Sequence, residues 1–271
     1  MPRGYIKTVK RFRKAAVQGD ASAQNNLGLI YHKGRGVERD DAEAVKWFSK
    51  AAEQGHATAQ FNLGIMYDNG LGVPRDDAEA VMWYYLAAEQ GIAKAQTNLG
   101  VMYEAGRGVA LNDVEAAKWY RKAAKQGDAD GQYNIGLMYV TGEGMPRDDA
   151  EAMNWFRKAA KQGIADAQYS LGLMYDTGEG VPQDHAEAVK WYRMAAKQGL
   201  AHAQNNLGVM YNNGEGVRRD YVSAHLWFTL AAAQGSEEAQ KGLNMAASQM
   251  YPDQIAEAQR LAREWMAKHQ Q

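Results

Sequence analysis

The sequence predicts an all-α solenoid of stacked, antiparallel helix pairs. Three observations carry that expectation: an unbroken 36-residue step, two helix-period apolar patterns inside each step, and cap residues where each pattern starts and stops. The step is plain in Gln24, Gln60, Gln96, Gln132, Gln168, Gln204 and Gln240, with no insertion or deletion between them. It recurs in a glycine column from Gly28 to Gly208, a tyrosine column from Tyr31 to Tyr211 and a tryptophan column from Trp47 to Trp227. The last column holds six of the seven tryptophans, so the largest side chains of the chain belong to the repeat. A fixed period between about 20 and 50 residues marks a repeat array.

Taken in order, the elements begin with a lone helix over about Tyr5 to Gln18, whose Ala15, Ala16 and Gly19 match the second half of a unit. In the first complete unit Ala23, Leu27, Ile30 and Tyr31 share one helical face. Gly34 then stops the helix by supplying a left-handed residue without a Cβ penalty. Gly36 adds a second flexible point, and Val37 is expected to fold back on the core. Asp40 stands where an N-cap belongs, with Glu43 three residues later in a capping-box arrangement. Its column reads Asp40, Asp76, Asn112, Asp148, Asp184 and Asp220. The second helix carries Ala44, Trp47, Phe48, Ala51 and Ala52 on one face and ends at Gly55. One hairpin cannot bury a Trp, a Tyr and a Leu alone, whereas stacked hairpins bury them against each other.

These patterns divide the chain into a half-repeat helix at 1–19, six repeats over 20–235 and divergent capping helices at 236–271. In the last segment Leu243 is retained, but Asn244 replaces the glycine and Ala247 the tyrosine. Pro252 and Asp253 then open a final helix carrying Ile255, Leu261, Ala262 and Trp265, which reads as a cap on the last apolar face. The start has no such cap. It falls halfway through a unit, which suggests an array trimmed from a longer one and an end open to self-association.

Composition narrows the function. With 31 basic and 32 acidic residues the net charge is −1, a poor match for nucleic acid, where a basic surface supplies most of the affinity. There is no cysteine, hence no disulfide, thiolate metal site or thiol nucleophile. No apolar run approaches the roughly 18 residues of a membrane-spanning helix. Met1 to Lys14 is basic without the apolar stretch of a signal peptide. A cytoplasmic location is therefore expected of the chain as it stands, and a periplasmic or secreted one if a leader has been removed.

The recurring A-x-A-Q-x-x-L-G-x-M-Y-x-x-G-x-G-V, followed by A-x-x-W-[FY]-x-x-A-A-x-Q-G, resembles the Sel-one-like repeat, a relative of the tetratricopeptide repeat. The resemblance covers about 20–250 and implies a right-handed α/α superhelix with an adaptor role. Many bacterial members act in host interaction, envelope processes or signalling. Cysteine-rich relatives are linked to penicillin binding and β-lactamase activity, and the lack of cysteine separates this chain from that branch.

In similar tetratricopeptide repeats the position before the Leu-Gly pair faces the concave groove. Here it holds Asn26, Asn62, Asn98, Asn134, Ser170 and Asn206. An asparagine in mid-helix costs propensity, so its recurrence needs a reason. Its amide matches the donor and acceptor of one peptide unit of an extended ligand. It would equally serve to brace a neighbouring repeat. The adjacent groove positions vary, as specificity requires: Phe61, Tyr133 and Tyr169 would supply aromatic anchors, and Lys94 a cation for a ligand carboxylate. The Trp and Tyr columns, at helical spacing on packing faces, are expected to be core, and the Gln column to bond backbone between hairpins.

Signs of catalysis are weak. The Gly34-Arg35-Gly36 type of loop lacks a Walker Lys-Ser/Thr, and carboxylates at five of the six caps would repel phosphate. The Asp-Asp-x-Glu clusters recur at helix starts, where capping accounts for them, so no metal site or cofactor is expected. The six histidines fall in different columns, and neither H-E-x-x-H nor G-x-S-x-G is present. The expected function is a non-enzymatic scaffold that takes a protein or peptide partner in its groove, with no nucleic acid and no membrane insertion. The alternatives are a β-lactam or cell-wall hydrolase like the cysteine-rich relatives, and an assembly module stacking through its ends.

Overall fold

The computed structural model describes residues 3–269, so the outermost two residues of each expected terminal segment lie outside it. Among the described residues there are fifteen helices and no strand. They are α1 (Arg3–Val17), α2 (Ala21–Lys33), α3 (Asp41–Glu53), α4 (Ala57–Asn69), α5 (Asp77–Glu89), α6 (Ala93–Ala105), α7 (Asp113–Lys125) and α8 (Ala129–Thr141). There follow α9 (Asp149–Lys161), α10 (Ala165–Thr177), α11 (His185–Lys197), α12 (Ala201–Asn213), α13 (Tyr221–Ala232), α14 (Glu237–Ala247) and α15 (Pro252–His269). Even-numbered helices are the first helices of the repeats and odd-numbered ones, α1 included, the second. Two compact units divide the chain: residues 1–138 with 142–146, and residues 139–141 with 147–271. In the first unit each helix from α1 to α7 packs on the next. In the second the same holds from α9 to α14, while α15 lies against α13. Each unit is thus a solenoid of helix pairs, as the 36-residue step requires.

Small residues set the spacing of the pairs. Ala44, Ala80, Ala116, Ala152, Ala188 and Ala224 form a fully buried column, as do Ala51, Ala87, Ala123, Ala159, Ala195 and Ala231. At Gly100 a Cβ would lie 2.5 Å from Cε1 of Tyr120, so α6 meets α7 at a distance only glycine allows. The half-repeat α1 joins the core through Val9 and Ala16, which share a buried cluster with Leu27 and Trp47. At the other end Ala258 and Ala262 of α15 are buried, and Trp265 sets its ring edge-on to Trp227 at 6.5 Å.

The loop between the two helices of a repeat differs from the expected capping box in one half. The Asp40 carboxylate accepts the Glu43 N–H at 2.9 Å, and the same cap forms at Asp76, Asn112, Asp148, Asp184 and Asp220. The reciprocal bond is not made. The Asp40 N–H donates instead to the Tyr31 carbonyl at 3.1 Å, because the loop returns the chain to the last carbonyls of α2. Asp76 on Tyr67, Asn112 on Tyr103 and Asp184 on Tyr175 repeat that clip. Glu43, released from capping, accepts from the Trp47 indole at 3.0 Å.

The aromatic columns are less uniformly core than their spacing suggests. Trp47, Trp119 and Trp227 are buried, and Trp83, Trp155 and Trp191 half-buried. All six tyrosines of the Tyr31 column are half-buried. Their hydroxyls come close enough to the surface to meet arginines eighteen residues earlier, as in Arg157 to Tyr175 and Arg193 to Tyr211, both at 2.8 Å. The Gln column does bond backbone between repeats. Gln60, Gln96, Gln168 and Gln204 donate to Ala52, Ala88, Ala160 and Ala196 carbonyls at 3.0–3.2 Å.

One buried residue breaks its column. His225 of α13 is 4% exposed where Val9, Val45, Val81 and Val189 stand in other repeats. Burial lowers its pKa from 6.5, and no ionised neighbour contributes. The unfolded chain therefore takes up this proton more readily than the folded one, so stability falls as pH drops below about 6.5, by at most about 1.4 kcal/mol per unit. His225→Val is expected to remove that dependence and to raise the melting temperature at pH 5.5 more than at pH 7.5. Equal acid sensitivity in thermal melts of variant and wild type would place the titrating group elsewhere.

Candidate partner-binding face

The predicted groove residues all lie on first helices. Asn26, Asn62, Asn98, Asn134 and Asn206 are half-buried, as are Phe61, Tyr133 and Tyr169, while Lys94 in the first turn of α6 is exposed. In the first unit Phe61 packs its ring 6.1 Å from Tyr84. In the second, Tyr169 lies between Tyr192 at 5.8 Å and His202 at 6.1 Å. Phe61 and Tyr169 thus each pack on the second helix of their own repeat, Tyr169 also reaches His202 of the next, and each offers only part of its surface.

Three of the asparagines close a hydrogen-bonded set on a buried tyrosine. Tyr84, Tyr120 and Tyr192 share one column of second helices and are at most 1% exposed. Their hydroxyls donate to carboxylates sixteen residues earlier: Asp68 at 3.2 Å, Glu104 at 2.6 Å and Asp176 at 3.1 Å. Each also meets the amide of an asparagine fourteen residues later, Asn98, Asn134 and Asn206. Asn206 reaches the Tyr169 hydroxyl as well. Burial, first among the causes, pushes all three hydroxyls well above the usual phenol range, so they remain donors.

Where this column holds Phe the carboxylate is missing. Phe48, Phe156 and Phe228 have His32, Val140 and Asn212 at the same spacing before them. Fourteen residues after Phe156 and Phe228 stand Ser170 and Gly242 instead of asparagine. Asn62, which follows Phe48, turns its amide to Asn25 and donates to Oδ1 at 2.9 Å. A column-by-column comparison of the sequence contains this signal: acid, tyrosine and asparagine appear together at spacings of sixteen and fourteen.

The asparagine column is thus a brace between repeats at Asn98, Asn134 and Asn206. An amide carries two N–H groups and a carbonyl, so a brace through one N–H leaves Asn98 and Asn134 capacity for a ligand peptide. One helical turn further along lies a column that the spacing of the core residues did not single out: Leu29, Ile65, Val101, Leu137, Leu173 and Val209. Val101 and Val209 are 37% exposed and the others half-buried. The first helices therefore present an amide and an apolar side chain at every step, except for the serine at Ser170. Among the described residues no group of three or more His, Asp or Glu is placed to hold a metal ion. No described helix is long and apolar enough to cross a membrane.

Helix pairs of this length, stacked through small residues and presenting a repetitive polar and apolar face, define the chain as a tetratricopeptide-like α-solenoid. Within that class it belongs to the Sel1 repeat family, whose model matches residues 21–56, 57–92, 93–128, 129–164, 165–200 and 201–236. It is similar to the structure of c5321, described as a protective antigen present in uropathogenic Escherichia coli strains displaying an SLR fold. Identity is 40% and the TM-score 0.86 over 94% of this chain, which spans 56% of that one. A Sel1 repeat protein from Oxalobacter formigenes is also 40% identical, with a TM-score of 0.76 over 87% of this chain and 69% of the other. No curated protein matches the chain. Sel1 repeats are a scaffold fold commonly used for protein–protein interaction and typically without catalysis.

Proposed function

We propose that this protein is a non-enzymatic scaffold that holds a partner protein by an extended segment laid across the first helices of a unit. The observation that carries the reading is the paired column of asparagine and half-exposed aliphatic residues, repeated at a constant step along those helices. Main-chain groups of an extended segment would meet the amides, and alternate side chains would rest on Ile65, Val101 and Leu137. In the first unit Phe61, Lys94 and Tyr133 vary around this constant pattern and would select the sequence bound, with Asn26, Asn62, Asn98 and Asn134 as the ladder. In the second unit Tyr169 and Asn206 take those parts.

Panning a peptide library against the whole protein tests this. A consensus peptide is expected to emerge and to lose at least tenfold in affinity with Val101→Glu or Lys94→Glu, both at exposed positions where the fold tolerates change. Lys118→Glu, on a second helix, should leave it unaffected. In a Tyr84→Phe background, where Asn98 no longer braces a hydroxyl, Asn98→Ala should still weaken binding. A peptide that ignores Val101→Glu and Lys94→Glu would move recognition off the first helices.

A further inference from the structure

Three columns of the second helices are mostly cationic, and in α5 all three are apolar or aromatic. Met82 stands where α3, α7 and α11 have Lys46, Lys118 and Lys190. Tyr85 stands in the column of Arg121, Arg157 and Arg193, and Leu86 in that of Lys50, Lys122 and Lys158. At about 3.6 residues per turn these positions lie opposite the buried Ala80, Tyr84 and Ala87. Met82, Tyr85 and Leu86 are exposed together on that side. Trp119 of α7 meets the Tyr85 ring edge-on at 6.0 Å and leaves Met82 and Leu86 open.

The replacements give up contacts that other repeats make. Lys46, Lys118 and Lys190 each pair with a glutamate three residues earlier. Lys50, Lys122 and Lys158 stand over Trp47, Trp119 and Trp155 at 3.7–4.6 Å. In α5 the equivalent glutamate, Glu79, has Met82 in place of the lysine, and the equivalent tryptophan, Trp83, has Leu86. Apolar side chains at these positions gain only from a cover that keeps water off them.

The second unit contains such a cover. There α13 is the other second helix without charge in the three columns, with Leu226, Thr229 and Leu230. Helix α15 lies against it. Ala262 of α15 shares a buried cluster with Trp227 and Leu230, and Trp265 and Met266 pack on that cluster. Leu230 is 2% exposed in consequence, against 38% at Leu86.

We infer that the Met82, Tyr85 and Leu86 side of α5 is a docking surface, separate from the first-helix face, and that it takes an amphipathic helix of the α15 type from a partner protein. Such a helix lays small residues and a Trp-Met pair on the apolar side chains, as Ala262, Trp265 and Met266 do on α13. It also brings a lysine or arginine to Glu79, the part that Lys46 plays for Glu43. A second copy of this chain fits less well. Its α15 already lies on its own α13, and its α5 would bring another Glu79 instead of a cation.

A fluorescent peptide with the sequence of residues 252–269 is the probe, since it carries the covering residues together with Arg260, Arg263 and Lys268. Fluorescence anisotropy with the full-length protein is expected to show saturable binding that weakens with salt. Met82→Lys/Leu86→Lys gives α5 the side chains that α3 and α7 carry, so the fold is kept, and should lower the affinity at least tenfold. Ala262→Glu in the probe should cost as much, while Val101→Glu in the protein, on the first-helix face, should leave binding unchanged. Absence of saturable binding would overturn the inference. So would equal affinity of the double-lysine variant, because the probe would then be exchanging with α15 on α13. A dimer in sedimentation that the same two lysines dissociate would also overturn it, since the surface would belong to a second copy.

Discussion

Gly108→Ala is expected to destabilise the first unit by about 2–5 kcal/mol, the sum of a left-handed alanine and an overpacked contact. Gly108 has φ +65°, and a Cβ there would sit 2.2 Å from the Asp77 carbonyl oxygen at the start of α5. The atom met is backbone of the preceding repeat and cannot rotate away. The neighbouring Arg107 pairs with Asp68 and, at 2.8 Å, with Asp77, holding the Asp77 carboxyl down at about 2 with help from Arg75. A loop displaced by the clash would loosen those pairs as well. Gly127→Ala is the control: its φ is +93°, but nothing lies within 4 Å of an added Cβ, so only the backbone term of about 1–2 kcal/mol applies. Urea unfolding of both variants separates conformation from contact. Because repeats communicate through nearest-neighbour interfaces, hydrogen exchange in the Gly108 variant should speed up first in α5 and in α6–α7. Equal losses in the two variants would show that the contact with Asp77 contributes nothing.

The second large effect is expected at Gln96. This side chain is 4% exposed and ties three helices together. Its amide donates to the Ala88 carbonyl of α5 at 3.0 Å, and its carbonyl accepts from Gln126, beyond α7, at 2.7 Å. Gln96→Leu removes both bonds, and the exposed Gln126 amide turns to water. The Ala88 carbonyl keeps the Gly91 N–H at 3.0 Å, so its loss is partial. A destabilisation of about 2 kcal/mol follows, near 1 for each bond lost. Gln96→Glu keeps the shape but buries a carboxyl, whose pKa in the fold rises above the roughly 4.3 of an exposed glutamate. The folded state then holds the proton more tightly, so stability falls as pH rises through that window. Chemical denaturation of both variants at pH 4.5 and 7.5 is the check. A glutamate variant as stable at pH 7.5 as at pH 4.5 would mean that the site is open to water.

The repeat and its two helices were legible in the residues themselves because every unit solves the same packing problem. A 36-residue step of glutamine, glycine, tyrosine and tryptophan leaves few ways to bury those side chains other than stacked helix pairs. The helix starts were equally plain, since an Asp or Asn cap is a local event between a side chain and the N–H two or three residues on. The other half of the capping box is not local. The partner of the Asp40 N–H is the Tyr31 carbonyl, nine residues earlier, and the loop alone brings them together.

What the tertiary structure decided was the use of polar side chains between repeats. The residues Asp68, Tyr84 and Asn98 meet at one point although they belong to three helices. A mid-helix asparagine announces that something recurs, but its partner depends on which hydroxyl the preceding repeat brings to it. Phe48 and Tyr84, two members of one column, show the consequence, because the asparagine that follows turns to Asn25 after the first and to the tyrosine after the second. Periodicity is a property of the chain and can be read along it; the coverage of a side chain is a property of its neighbours in space.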